Sequence, residues 1–324
     1  MATLDRKVLL IGGGGYVGSA IAVTLNSLGY GVRILDNFIY DHSELLIGLN
    51  ADIIHGDMND ISVVNDCLHN ITDVVILGGL VGNQVIEKNP ILAKKTNYNG
   101  VSQIINSLDG RGLNNVIFVS TCSNYGIVDT SEYATEESVL NPLGEYAKAK
   151  VLAEKLLLSK KGKVDYTGTV LRFATAFGVS YRTRMDLLIN EIIYKSLNNE
   201  PIRVYDQNTW RPYCHVNDFG DLIDKVLSVS KSDVYFETFN VGSDYNNYTK
   251  QNVIDEVSRF GYNPQVIYDK VNSDPRDYKV SFKKAEKILG FEAQYELSDG
   301  IKELINYFSD QHQIDRRLSN NHYL

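Results

Sequence analysis

Cysteine is scarce in this 324-residue chain: Cys67, Cys122 and Cys214 stand far apart and are odd in number. No disulfide framework fits them, nor does the paired spacing of a metal site, so three reduced thiols and no metal are expected. Long apolar runs are missing as well. Nothing approaches the roughly 20 residues that span a bilayer. Residues 1–7 lack the charged, apolar and small-residue regions of a secretory signal. The expected setting is therefore the cytoplasm, with no membrane partner. Positive charge is in deficit, with 32 Lys and Arg against 40 Asp and Glu and a net charge of −8. Charge of that sign does not hold nucleic acid, and leaves room only for an anionic ligand gripped by a few local arginines. Internal repeats and low-complexity tracts are absent too. The length implies one large domain or two closely packed ones.

What is present is a regular alternation. Short β-type apolar runs at 7–11, 32–35, 53–54, 74–77, 116–119 and 169–171 alternate with helical stretches at 17–28, 61–68, 90–108 and 144–158. Such alternation implies a parallel sheet covered on both faces. A helix at 217–229 and a run at 238–241 add one more strand to it. Residues 178–212 and 243–291 are richer in Tyr, Asn, Arg and isolated turns, and are expected to form a smaller α/β domain over one end of the sheet. The division expected is 1–176 with about 213–243 for the first domain, and about 177–212 with 244–324 for the second. Open α/β sheets bind ligands at the carboxyl ends of their strands, so the site should lie between the two. The tail from about 309 to 324 is polar and is expected to be loosely held.

Gly12, Gly13, Gly14, Gly15 and Gly18 directly follow the first strand and open the first helix. Missing side chains let a backbone approach a pyrophosphate, and a helix N-terminus offers free N–H groups and the positive end of its dipole. The second strand ends in Asp36, 18 residues beyond Gly18. A carboxylate there accepts hydrogen bonds from a ribose diol and repels a 2′-phosphate, which favours NAD over NADP. Asp57, at the end of the third strand, is a candidate for the adenine edge, with a plain turn aspartate as its alternative.

Tyr146 has a lysine, Lys150, four residues on, which on a helix places the two on one face a turn apart. An ammonium there lowers the cost of tyrosinate and brings the phenol nearer to useful base strength. Thr121 follows the fifth strand and brings a hydroxyl to the carboxyl end of the sheet. Taken together, the glycine loop, Asp36, Thr121, Tyr125-Gly126 and Tyr146-Ala-Lys-Ala-Lys150 resemble the extended short-chain dehydrogenase/reductases. Within them the chain is similar to the NAD-dependent sugar-nucleotide epimerase/dehydratase family from about residue 6 to 292.

The resemblance implies a Rossmann-type doubly wound parallel sheet and a set of roles. Tyr146 is the general base that takes a proton from a sugar hydroxyl. Lys150 holds the nicotinamide ribose, and Thr121 bonds the same substrate oxygen as Tyr146. The NAD contacts implied are Gly12, Gly15, Tyr16, Val17 and Gly18 at the loop, then Asp36 with Asn37 and Asp57 with Met58. Leu77, Gly78 and Gly79 follow the fourth strand, and Asn97, Tyr146, Lys150 and Phe173 complete the set. Arg211 and Arg276 match arginines that pair with the substrate pyrophosphate, a task suited to a planar, permanently charged fork. Asn190 matches a diphosphate contact, and Arg182 and Arg184 lie in a loop expected to face the base or sugar. His215 is expected to be structural.

Departures from the family narrow the chemistry. Sugar 4,6-dehydratases carry Asp-Glu after the threonine, whereas Cys122 and Ser123 stand here, so that reaction is excluded. Cys122 is expected to be a small packed side chain. Asn124 replaces a small apolar residue, and Val81 stands where some 4-epimerases have a lysine. These differences put NAD-dependent oxidation at C4 of a sugar nucleotide first, with release of the 4-keto product, including on a GDP-heptose-type sugar. A 4-epimerase of the UDP-glucose/galactose kind and a 4-ketosugar reductase are the alternatives, and a non-catalytic NAD-sensing regulator is a remote one. A homodimer is implied through the helices at 90–108 and 144–158.

Overall fold

The computed structural model describes residues 6–269, 275–310 and 315–320. The chain runs β1 (Lys7–Ile11), α1 (Tyr16–Ser27), β2 (Gly31–Asp36), β3 (Asp52–His55), α2 (Ile61–Cys67) and β4 (Asp73–Ile76). Then come α3 (Asn83–Lys88), α4 (Pro90–Lys94), α5 (Val101–Ser107), β5 (Asn115–Thr121), α6 (Glu145–Leu158) and β6 (Thr167–Phe173). All the sheet strands pair in parallel, in the order β10-β6-β5-β4-β1-β2-β3, with β10 at Glu237–Val241 after α8 (Asp218–Ser228). Buried on both faces, the central strands read as near-continuous apolar runs: Val8 to Ile11, Val74 to Ile76 and Val116 to Phe118 are fully buried.

The strand order reverses between β1 and β4, so the loops leaving their carboxyl ends diverge and open a crevice there. The two loops still touch at one point. A Cβ on Gly12, whose φ is +79°, would lie 2.3 Å from the Gly78 Cα. Only glycine serves where the conformation is left-handed and another backbone passes this close.

The long helix expected over 90–108 is not one regular helix. A π turn, Lys95–Gly100, separates α4 from α5. The wider turn lets the Asn97 carboxamide grip the backbone of Leu80, accepting from its N–H at 2.7 Å and donating to its carbonyl at 2.9 Å.

Beyond the main sheet, β7 (Thr175–Phe177), β9 (Trp210–His215) and β11 (Asn247–Thr249) form a three-stranded sheet in the order β11-β9-β7. β8 (Pro201–Tyr205) pairs with β12 (Gln265–Asp269). Helices α7 (Leu188–Leu197), α10 (Lys250–Arg259) and α12 (Leu297–Ser309) cover this second core, built from side chains such as Phe177, Ile192, Val253, Leu304 and Phe308, whereas α9 (Lys231–Val234) and α11 (Lys283–Leu289) pack on the first. The polar tail departs from expectation. Residues 315–320 are docked, with Leu318 3% exposed in the second core and its carbonyl accepting from Met185 N–H at 2.9 Å. The rest of the tail, 311–314 and 321–324, lies outside the described residues. Among the described residues no helix is long and apolar enough to cross a membrane.

Candidate active site

One cavity of about 580 Å³ runs along the crevice, within the range of small-molecule sites. Its floor is the glycine loop. Gly15, the N-cap of α1, has nothing nearer than 3.8 Å to an added Cβ, so its bare backbone faces open space that a ligand can enter. Gly18 is the opposite case, since a Cβ would come within 2.5 Å of Gly13 Cα, and its absence lets α1 pack onto the loop. Gly12, Tyr16, Val17, Leu77, Gly78, Gly79 and Phe173 line the same cavity, and the Tyr16 hydroxyl donates to the Gly178 carbonyl at 2.7 Å. This backbone cradle fits a dinucleotide pyrophosphate.

The Asp36 carboxylate accepts from the N–H groups of Gly14 and Phe38, each at 2.9 Å. Burial raises its pKa, while those two N–H groups and Arg182 act against the rise. Each oxygen keeps lone pairs for a diol. Asn37 and Met58 line the cavity beside it. The Asp57 carboxylate accepts from Asn59 N–H at 2.9 Å and from the Asn59 side chain at 2.8 Å through one oxygen, closing a turn. Asn97 likewise stands behind the wall, holding Leu80.

At the other end Thr121, Tyr146 and Lys150 meet on the same cavity. Thr121 ends β5, and its hydroxyl accepts from Ser123 N–H at 3.1 Å, starting the tight turn Cys122–Tyr125. Lys150 is 3% exposed and donates to the Val119 carbonyl at 2.7 Å. Burial pulls its pKa down to about 8, with Glu154 pulling the other way. Burial pushes the Tyr146 phenol up to about 12, and the cation that offsets this is Arg184. Lys150 shares the face of α6 with Tyr146, as the spacing implies. Its ammonium is aimed at a backbone carbonyl, 5.7 Å from the centroid of the Tyr146 ring.

A buried polar network underlies these residues. Arg172 on β6 pairs with Glu154 on α6 at 2.8 Å, both nearly fully buried. Glu154 also accepts from Ser120 and from Asn124, the latter at 2.7 Å. Asn124 therefore departs from the usual small apolar residue because it supplies a donor to a buried carboxylate. Cys122 is 1% exposed, its thiol pushed up by burial and directed to the Arg172 carbonyl, as a packed side chain should be. His215 is equally structural, bonding Glu303 at 2.8 Å and stacking on Tyr295.

Four arginines reach the cavity. Arg211 donates to the carbonyls of Trp210 and Arg276 and lies over the Tyr278 ring. Arg276 donates to Ser123 Oγ at 3.1 Å, two residues from Thr121. Arg184 pairs with Asp186 at 2.5 Å. Arg182 lies 4.2 Å over the Tyr40 ring, 2% exposed, and burial followed by repulsion from Arg184 pulls its pKa down to about 10. Asn190 is fully buried behind them, and its side chain donates to the Arg184 carbonyl at 2.7 Å. The sequence reading missed Tyr40, His42 and Asn320, which also line the cavity. His42 is 2% exposed with neither ring nitrogen hydrogen-bonded, and burial and Arg182 push its pKa down to about 3. Among the described residues no His, Cys, Asp and Glu cluster suits a metal.

The model of the NAD dependent epimerase/dehydratase family matches residues 8–242. A UDP-glucose 4-epimerase of Rhizobium leguminosarum bv. trifolii is 24% identical, over 95% of this chain and 99% of its own. A putative UDP-glucose 4-epimerase of Methanocaldococcus jannaschii is 26% identical, over 94% and 99%. Among solved structures, MoeE5 in complex with UDP-glucuronic acid and NAD superposes with a TM-score of 0.81 at 25% identity, covering 94% of this chain and 99% of its own. The UDP-glucose 4-epimerase of Thermotoga maritima gives 0.85 at 23% identity over 94% and 99%, which supports the shared fold. The cradle of Gly12 to Gly18, the carboxylate of Asp36 and the Tyr146/Lys150 pair fit the same cofactor, NAD. The chain is a member of the NAD dependent epimerase/dehydratase family.

Proposed function

We propose that this enzyme inverts C4 of a UDP-linked hexose, oxidising it to the 4-ketone and reducing it again within one site. The observation that carries this is the meeting of Thr121, Tyr146 and Lys150 on the cavity that also holds the glycine cradle and Asp36. The sequence alone ranks release of the 4-keto product first. The relatives matched over nearly the whole chain support the epimerase instead. Tyr146 takes the proton of the C4 hydroxyl and returns it to that same oxygen, which Thr121 holds, when hydride comes back to the opposite face of C4. NAD, when bound, supplies the hydride acceptor for C4. Lys150 anchors the nicotinamide ribose, and Arg211 and Arg276 steady the substrate pyrophosphate. The buried, unpaired thiols of Cys67, Cys122 and Cys214 support a cytoplasmic setting. For the domain division we propose 1–176 with 213–243 for NAD and 177–212 with 244–324 for the sugar nucleotide, with β9 passing between them.

The test is to incubate the purified protein with UDP-glucose and separate the products by NMR. A C4-inverted UDP-hexose, formed without net reduction of added NAD⁺, is expected. A free 4-keto sugar matched by NADH would establish the dehydrogenase.

A further inference from the structure

Six residues far from the glycine loop in sequence reach across the cleft. Arg182 donates through Nε to the Arg317 carbonyl at 3.0 Å and through Nη2 to Asn320 Oδ1 at 2.8 Å. The Asn320 side chain also donates to the Val81 carbonyl at 3.1 Å, and Arg317 reaches Glu44 at 3.3 Å. One segment thus ties together three loops. The first follows Asp36 at the end of β2 and carries Glu44, the second follows β4 and carries Val81, and the third carries Arg182 to Asp186. Asn320, Arg182 and Tyr40 line the same cavity as Asp36 and Gly15.

The Arg182 guanidinium is buried among a carbonyl, a carboxamide and an aromatic face, with the carboxylates of Asp186 and Asp36 at longer range. A desolvated cation held by neutral groups gains most from an anion delivered to the cavity. A dinucleotide on the cradle would bring its pyrophosphate into the same cavity that Arg182 and Asn320 line. Residues held at both rims of a cleft slow the escape of what lies between them.

We propose that residues 315–320 form a clasp over bound NAD, in which Asn320 is the positioning residue that fixes Arg182, and that this clasp retains the reduced cofactor between the two hydride transfers. The second half of the proposal rests on the epimerase reading, because only an enzyme that returns its hydride must keep the reduced cofactor while the ketone turns. No outside oxidant enters: one hydride and one proton leave the sugar and both come back.

The experiment measures NAD dissociation from preloaded, full-length protein, and free 4-keto sugar during turnover. Asn320→Ala removes one bond to a charged group and is expected to speed dissociation about 10-fold, with 4-keto sugar and NADH now escaping. Asn320→Gln keeps a neutral carboxamide acceptor for Arg182 and restores slow dissociation, whereas Asn320→Asp neutralises the guanidinium and does not, a contrast that a merely structural role would not produce. Leu318→Asp undocks the whole segment and shows a larger effect. Unchanged dissociation in both Asn320→Ala and Leu318→Asp, in a parent that epimerises, overturns the clasp while leaving the epimerase reading intact. A parent that holds NAD yet releases 4-keto sugar overturns the retention role together with that reading.

Discussion

The Lys150 ammonium donates to the Val119 carbonyl at 2.7 Å and stands 5.7 Å from the centroid of the Tyr146 ring, one helical turn away. The pair therefore shares a helix face without an ion pair between phenol and ammonium. Burial makes the Lys150 proton easier to lose and the Tyr146 proton harder to lose, so each group is biased towards its neutral form. Replacing Tyr146 by Phe should leave NAD binding nearly intact and cut turnover by a factor of order 10² or more. Steady-state rates alongside NAD titration read both quantities, and near-normal turnover would remove Tyr146 from the chemistry.

Lys150 also sets a pH dependence of stability. Its pKa is about 8 folded against 10.5 unfolded, so between those values the unfolded chain holds more protons. Stability from this group consequently rises with pH across that window, and below about 8 the burial penalty, roughly 3 kcal/mol, is fully present. Lys150→Met removes the penalty but strands the Val119 carbonyl, at about 1 kcal/mol. The nucleotide-free variant should be more stable than the parent by about 2 kcal/mol near neutral pH. The gap should close as pH approaches 10.5, as urea melts across the range will show.

Gly15 and Gly12 should respond differently to alanine. A Cβ on Gly15 meets nothing within 3.8 Å and projects into the cleft, whereas one on Gly12 strikes the Gly78 backbone from a left-handed φ. Gly15→Ala should melt near the parent temperature yet bind NAD about 10-fold or more weakly through lost close approach. Gly12→Ala should lose stability as well. Equal NAD affinity in Gly15→Ala and parent would place the pyrophosphate elsewhere.

The buried pair Arg172–Glu154 makes a fourth test. Arg172→Leu leaves the Glu154 carboxylate buried against Ser120 and Asn124 without its counter-charge. A loss of about 3–5 kcal/mol is expected. Adding Glu154→Leu should recover part of it, and the double-mutant cycle measures how much.

Much of the fold was legible because parallel strands buried on both faces leave unbroken apolar runs, as 7–11 and 74–77 do. Tyr146, Lys150 and Thr121 were legible for a related reason, since helix spacing and strand ends fix where side chains point. Other features carry no local sequence signal. The π turn that aims Asn97 at Leu80 looks like ordinary helix in the sequence, and the turn that Asp57 closes with Asn59 has no signal there either. The docking of Asn320 against Arg182 joins residues 138 apart, and its polar stretch reads as a loose tail. Asn124 looked like an anomaly until Glu154 appeared beneath it.

Ile91 is 86% exposed, and Leu152 and Tyr98 are open to solvent on the neighbouring helices α6 and the π turn. Apolar side chains so placed suit a four-helix contact between two copies of the chain. A homodimer is the expected mass in solution at micromolar concentration, and Leu152→Asp should shift it to monomer. A monomeric parent by light scattering would contradict this.

The most direct measurement of the central claim uses UDP-glucose labelled with deuterium at C4 and follows the label by NMR. Hydride that leaves and returns within one closed site predicts a C4-inverted product with the deuterium still on C4 and no labelled NADH in solution. Label lost to the medium, or carried away on released cofactor, would contradict it.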